Sequence, residues 1–536
     1  FYLGESIANL PFLPADFMNW IIPFVPGDLI TFGINTMVDI IIALGLGRED
    51  VVAKLFESLM ASAIFVGILG IGGTFVGRAL SLKLSAKLPN LSIGLVIGVL
   101  IAIPLAIISN DQLTGDNPFY DGPSLSIRTL WILGVIALWG MITQIILQTA
   151  NQTAEATSHN EDTQKQSTEI ENISEARSQK VTAINRRKFL VQVGGTSAVL
   201  TIIGAGLGEL LRENETIVAA DQVDFSFLNF PNANARVIPA PGTRPEYTPI
   251  DNHYRIDINS ANPPSIDGEA WRLTLKGLIE NPTTYSLQQL QEDFTPLNQY
   301  VTISCISNRI GGSLIGTTGW TGVSMQDILR EVRPLPEATH IKITSADGFW
   351  EYVDLDLVRE DQRIMLCYAW NEELLRVKHG FPLRIYIPDR YGMKQPKWIT
   401  ELEFVDSWGR GYWVERGWSA EAIVQTTSVI DTVAVEAAYE QNGQTLIPIG
   451  GIAYAGARGI SKVEVRIDEG EWQTAELRQP LSPLTWVIWR YDWPMQSGEH
   501  TFEVRCYDGE GTLQIEETRP NKPNGATGIH SFSTTI

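Results

Sequence analysis

Tyr300-Val301-Thr302-Ile303-Ser304-Cys305-Ile306-Ser307-Asn308-Arg309-Ile310-Gly311-Gly312 decides how the soluble part of this chain is read. The first residues are rich in β-branched and aromatic side chains and predict a strand. The glycine pair predicts that the strand opens into a loop. A side chain at such a strand end can face a ligand, and Cys305 holds that place. Arg309 supplies positive charge that favours the thiolate, the form that binds metal. Gly311 and Gly312 let the backbone approach a bulky group. On these residues alone, Cys305 reads equally as a metal-binding thiolate or a buried structural thiol.

The other two cysteines predict core. Cys367 sits inside the apolar run Ile364-Met365-Leu366-Cys367, and Cys506 alternates inward with Phe502 and Val504. Three cysteines in 536 residues build no disulfide framework, and no two stand at zinc-ligand spacing. The length implies several domains. A formal charge of −21 with no basic patch argues against nucleic acid as a partner.

Apolar residues crowd the first 150 positions. Stretches of roughly Leu55–Gly77, Leu91–Ser109 and Thr129–Gln148 each approach the ~20 residues that cross a ~30 Å hydrocarbon core as helix. Leu29–Leu46 is a fourth candidate span. Gly67, Gly70, Gly73 and Gly77 are expected to permit close helix packing. A fifth apolar stretch, Phe189–Leu207, follows Asn185-Arg186-Arg187-Lys188 and resembles a twin-arginine export signal; a plain membrane anchor is the other reading. Arg78, Lys83 and Lys87 place the loop after the second span inside. That puts Asn110–Ser126, which has aspartates and no Lys or Arg, outside, and with it everything after about Glu209. No His falls in any of these spans, which argues against a bis-His haem. The organisation expected is a transmembrane helical region (1–149), a polar linker (150–185), an anchor (186–210), a mixed α+β domain (211–420) and a β-sandwich (421–536).

Beyond Asp221 short alternating strands appear, such as Trp271–Leu275 and His340–Ile343, with brief helices at Ser286–Asp293 and Ser324–Val332. Lys378-His379-Gly380-Phe381-Pro382-Leu383-Arg384, followed by Lys394-Gln395-Pro396-Lys397-Trp398, concentrates cations around a short strand. Such a cluster suits a phosphate, which Arg grips bidentately and Lys as a point charge; a solvated basic face is the alternative. After Trp418 the alternation in Lys462–Ile467, Thr485–Trp489 and Thr501–Cys506 predicts a β-sandwich.

Two of these stretches carry a family resemblance. Cys305-Ile306-Ser307-Asn308-Arg309, with Trp320-Thr321-Gly322-Val323 downstream, resembles the molybdenum-cysteine loop of sulfite oxidase-type enzymes. His379–Arg384 with Lys397-Trp398 is similar to that family's pterin-binding segment. The resemblance implies a molybdenum–molybdopterin cofactor with Cys305 as the sulfur ligand to the metal. It implies that His379, Arg384 and Lys397 bind the molybdopterin and its phosphate, with backbone contacts from Gln395 and Pro396. Tyr368 matches the family's active-site tyrosine, and Tyr254 and Arg255 occupy the place of another pterin-contacting segment. Gly451–Gly456 leading into Val463 resembles the family's immunoglobulin-like C-terminal domain, which often makes dimers. The likeness covers about Asp221–Ile536.

Two departures bear on substrate. Ile310 stands where animal and plant sulfite oxidases carry a second Arg, and Asn524–His530 offers no counterpart to the family's substrate-binding arginines. The expected function is therefore two-electron oxygen-atom transfer on a small substrate, a sulfite-like anion or a sulfoxide, on the extracytoplasmic face of a membrane. Cys305, Tyr368 and Arg309 would be catalytic. The partners expected are membrane lipid, a separate electron-transfer partner, and a second copy or a larger membrane complex. A non-catalytic membrane scaffold is the competing reading.

Overall fold

The computed structural model describes most of residues 1–40, 52–68 and 90–145, and residues 232–536 apart from 233, 260–262 and 372. The expected linker and twin-arginine anchor lie outside the described residues, as does part of each of the two earlier candidate spans.

The chain divides into two units. The first comprises Phe1–Pro23, Glu57–Gly115 and Asp121–Asn214. Two of its helices, Ser92–Asp111 and Leu125–Ile142, are long and apolar enough to cross a membrane. They approach closely because glycine removes the side chains between them. A Cβ on Gly94 would lie 2.6 Å from the Gly140 carbonyl oxygen, and one on Gly98 would lie 2.6 Å from that of Ile136. This small-xxx-small spacing lets backbones meet. The packing was expected elsewhere, at Gly67, Gly70, Gly73 and Gly77. A Cβ on Gly67 meets nothing within 4 Å, and the other three lie outside the described residues.

The second unit comprises Phe24–Phe56, Asp116–Tyr120 and Glu215–Ile536. Its first ten strands are β1 (Leu273–Gly277), β2 (Thr283–Tyr285), β3 (Pro296–Ser304), β4 (Ile315–Ser324), β5 (His340–Ser345), β6 (Trp350–Asp354), β7 (Met365–Trp370), β8 (Glu373–Leu374), β9 (Arg384–Tyr386) and β10 (Ile399–Val405). They form two sheets. One is ordered β2-β1-β10-β5-β6, with β1 and β10 parallel. The other is ordered β3-β4-β7-β8, with β9 also on β7. The short helices start where local chemistry dictates. Ser286 and Gln289 make a capping box for Leu287–Glu292. Ser324 caps Met325–Val332, whose Met325, Ile328, Leu329 and Val332 recur at helical spacing and are buried.

The remaining strands build two antiparallel sheets. One contains β11 (Thr427–Val433), β12 (Tyr439–Gln441), β13 (Gln444–Tyr454), β16 (Glu476–Leu477) and β17 (Val487–Pro494). The other contains β14 (Ile460–Ile467), β15 (Gln473–Thr474), β18 (Glu499–Asp508) and β19 (His530–Thr535). Ile447, Ile449 and Trp489 of the first share a core with Val463, Val465, Phe502, Val504 and Cys506 of the second, so the sheets pack face to face. This sandwich fixes the end of β3. Tyr454 Oη donates to the Thr302 carbonyl at 2.8 Å, and the Trp486 N–H donates to Thr302 Oγ1 at 2.9 Å. The strand that delivers Cys305 is thus held from both sides.

Candidate functional site

The cysteine loop closes on itself. The Cys305 N–H donates to the Leu314 carbonyl at 2.9 Å, the Asn308 N–H to the Cys305 carbonyl at 3.0 Å, and the Leu314 N–H to Asn308 Oδ1 at 3.0 Å. Gly312 is required, because a Cβ there would sit 2.4 Å from Asn308 Oδ1. Asn521 Nδ2 adds a bond to the Ser307 carbonyl at 2.7 Å. The loop therefore holds Cys305 rigidly, 8% exposed, with its Sγ 3.0 Å from Ser307 Oγ. Burial pushes the thiol pKa up, while bonds from Ser307 and Ile306 and the charge of Lys397 pull it down. Arg309 was expected to supply that charge. It instead lines an adjoining cavity with Arg244, Asn308, Tyr391, Gln425 and Tyr454.

A second group converges from β4, β7 and β9. His379 ends a 3-10 turn and is stopped by Gly380 at φ 114°. Arg384 Nη1 donates to the His379 carbonyl at 3.1 Å, and its guanidinium lies 4.8 Å from the Trp320 ring. The His379 ring lies 4.5 Å from Trp370 and 5.7 Å from His253. Burial, then the neighbouring His253 and the charges of Lys397, Lys378 and Arg384, keep His379 neutral. Four buried donor or ring nitrogens here have no hydrogen-bond partner among the described residues: His379 Nε2, Arg384 Nε, Trp320 Nε1 and Trp370 Nε1. Each such group costs about 1–3 kcal/mol when left unmet, so four together in one packed region point to a ligand rather than to fold stability.

Lys397 joins a third cluster. Its Nζ lies 3.5 Å from Asp257 Oδ2, 3.4 Å from the Lys378 carbonyl and 4.4 Å from the Trp398 ring centroid. Arg255 Nε donates to the same Asp257 oxygen at 2.6 Å, and Lys54 stands 3.3 Å from the other. Burial opposes ionisation of Asp257, but Arg255, Lys54 and Lys397 hold it well below the usual carboxylate range. Burial pulls Lys397 down to about 7 and pushes Asp347, bonded by Asn259 at 3.2 Å, up to about 7.

These placements bring most of the expected residues together. Tyr254 packs in the same apolar cluster as Cys305, and Arg255 shares Asp257 with Lys397. Gln395 is buried, donates to the Arg390 carbonyl at 2.9 Å and leaves Oε1 unmet; the Pro396 carbonyl accepts the Ile385 N–H at 3.2 Å. Tyr368 is the exception. Successive side chains on a strand point to opposite faces, so Cys367 faces the cluster of Cys305 while Tyr368 packs into the other core with Leu366 and Leu383. The tyrosine whose pKa is raised in part by Cys305 is Tyr391, though burial contributes most. Tyr391 and Asp257 were not singled out from the sequence; their signal was proximity to the motifs, Tyr391 three residues before Lys394 and Asp257 two after Arg255. Lys54 carried no local signal at all.

The donor set suits an anionic, phosphate-bearing group beside a cysteine sulfur. Arg384 and Lys397 supply charge, and the unmet nitrogens of His379, Trp320 and Trp370 supply donors. The comparisons agree. Residues 260–413 match the oxidoreductase molybdopterin binding domain, and residues 419–521 match the Mo-co oxidoreductase dimerisation domain. An NADPH nitrate reductase of Leptosphaeria maculans is 25% identical over 283 residues, covering 44% of this chain and 31% of that protein. An NAD(P)H nitrate reductase of Hordeum vulgare is 24% identical over 335 residues, covering 50% and 37%. The chain thus spans about a third of the length of these relatives. The sulfane dehydrogenase SoxCD of Paracoccus pantotrophus shares 20% identity at a TM-score of 0.44, over 52% of this chain and 78% of that one. Residues 260–521 thus carry the two domains of a molybdopterin-binding oxidoreductase, and with them a molybdenum–molybdopterin cofactor.

Proposed function

We propose that this enzyme transfers an oxygen atom to or from a small substrate on the extracytoplasmic face of a membrane to which its N-terminal helices anchor it. The bound cofactor supplies a two-electron couple at molybdenum. Cys305 provides the protein sulfur ligand, held in place by its closed loop. His379, Arg384 and Lys397 bind the pterin phosphate, with Tyr254, Arg255, Gln395 and Pro396 around it. Arg309 draws an anionic substrate towards the metal, and Tyr391, rather than Tyr368, presents a hydroxyl from the side of Cys305. Oxidation of a sulfite-like anion would consume water and release two protons and two electrons to a separate acceptor. Reduction of a sulfoxide, or of nitrate as the relatives' names suggest, would consume two electrons and two protons and release water.

The observation that carries this reading is the set of unmet nitrogens on His379, Arg384, Trp320 and Trp370, joined to Cys305 through the field of Lys397. The sidedness has its own support. Within the second unit, Asn117 Nδ2 donates to the Ser265 carbonyl at 2.7 Å, and the Asp267 N–H donates to the Phe119 carbonyl at 2.9 Å. Residues of the loop that charge bias puts outside are therefore bonded to the catalytic part. The dimerisation-domain match supports a homodimer.

Elemental molybdenum in the purified protein, with a screen of sulfite, sulfoxides and nitrate against artificial electron carriers, tests the reading. Cys305→Ala should abolish turnover; unchanged turnover would sink the assignment.

A further inference from the structure

Lys54 precedes residue 260, where the molybdopterin-domain match begins, by some two hundred positions, yet its ammonium ends in the ion cluster around Asp257. Its Nζ lies 3.3 Å from Asp257 Oδ1 and donates to the carbonyls of Asn259 at 2.6 Å and Asp257 at 3.3 Å. An ammonium has three protons, and three acceptors meet it. The Asp257 carboxylate, 1% exposed, takes Lys54 on one oxygen and Arg255 on the other. Lys397 stands at 3.5 Å, the longest of the three separations.

A buried carboxylate beside a phosphate site has two harmful effects. It repels the incoming anion, and it competes for the lysine that should bind it. Both effects shrink when other cations already satisfy the carboxylate. Arg255 binds Oδ2, and on Oδ1 the Asn259 N–H at 3.1 Å brings a hydrogen bond but no charge, so the cation there is Lys54. We propose that Lys54 is a positioning residue for the cofactor: by neutralising Asp257 it releases Lys397 to the molybdopterin phosphate. Lys54, outside both matched domains, would then be part of the cofactor-holding machinery. This rests on reading Lys397 as a phosphate ligand.

The test uses the whole chain, purified in detergent and dialysed at raised salt, with molybdenum measured by elemental analysis and released pterin by fluorescence. Lys54→Met should retain on the order of tenfold less cofactor, the low end of the effect of removing an outer-shell partner. Lys54→Arg should retain it as the parent does. Adding Asp257→Asn to Lys54→Met should restore retention, because no carboxylate is left to neutralise. If the double variant folds but stays as poor as Lys54→Met, neutralisation is not the role of Lys54. If Lys54→Met retains cofactor while Lys397→Met loses it, the role of Lys54 fails and the phosphate reading stands. If Lys397→Met also retains it, both fail.

Discussion

Lys394 and Lys397 sit three residues apart on one loop and meet opposite surroundings. Lys394 Nζ is 2.7 Å from Glu351 Oε1, with the two side chains 7% and 0% exposed. Gly411 presses against that carboxylate so closely that a Cβ there would lie 2.1 Å from Oε1. One cation meets one anion in a sealed space. Around Lys397, three cations share Asp257, Arg384 stands nearby, and several buried nitrogens lack partners. The first arrangement is matched in charge, one for one, although Glu351 Oε2 has no hydrogen-bond partner among the described residues. The second is over-supplied with positive charge and donors. A matched pair holds a fold together, whereas a cluster with cations in excess suits an anionic ligand.

The sharpest way to break this contrast is Lys394→Met. It leaves Glu351 buried without its counter-ion, and breaking a buried pair from one side costs about 3–5 kcal/mol. The denaturant midpoint should fall accordingly, with the cofactor content of the folded fraction little changed. Arg384→Met should do the reverse. A charged group engaging phosphate contributes roughly 1.5–3 kcal/mol, so cofactor retention should drop about 10–100-fold. The cofactor-free chain should be no less stable, because burial already lowers the pKa of Arg384, a sign that its charge is costly there. If Arg384→Met instead unfolds the protein while Lys394→Met merely loses cofactor, the two pockets have been assigned the wrong way round.

How much of this was legible beforehand follows from range. Cys305, His379, Arg384 and Lys397 were candidates from the sequence because each lies inside a short motif whose spacing survives in one dimension. The strands of the sandwich were readable because alternation is local: Phe502, Val504 and Cys506 point inward as their period of two requires. Tyr368, expected at the active site, shows what a motif match leaves out. A motif match names a position, but the pleat decides the face, and β7 turns Tyr368 away from the cluster that holds Cys305. Lys54 and Asp257 meet across some two hundred residues, and no pattern near either one announces the other. The glycine contact between the two apolar helices was sought in a glycine-richer stretch; Gly94, Gly98 and Gly140 do the packing because they face each other, which composition does not record.

The smallest effect probes the open pocket by pH. Asp347 rises to about 7 from an ordinary value of 3.8, chiefly through burial, with the Asp257 charge adding to it. A raised carboxyl pKa means that the folded chain keeps a proton the unfolded chain releases. The stability it brings is complete below about pH 4 and is lost as pH rises through 7. Lys397 works from the other side. Its value falls from 10.5 to about 7, so its stability is present above 10.5 and lost as pH falls through 7. Together they predict that the cofactor-free protein has a shallow stability minimum near neutrality. Asp347→Asn removes the acidic limb and takes away a charge that holds the Lys397 pKa up. Its melting temperature should gain on the parent's by on the order of a few degrees between pH 4 and pH 7, since a 1 kcal/mol change moves the melting temperature of a domain this size by roughly 2–4 °C. A gap that stays flat from pH 4 to 7 would mean that Asp347 is ionised throughout, and the pocket around Lys397 would then be balanced rather than open.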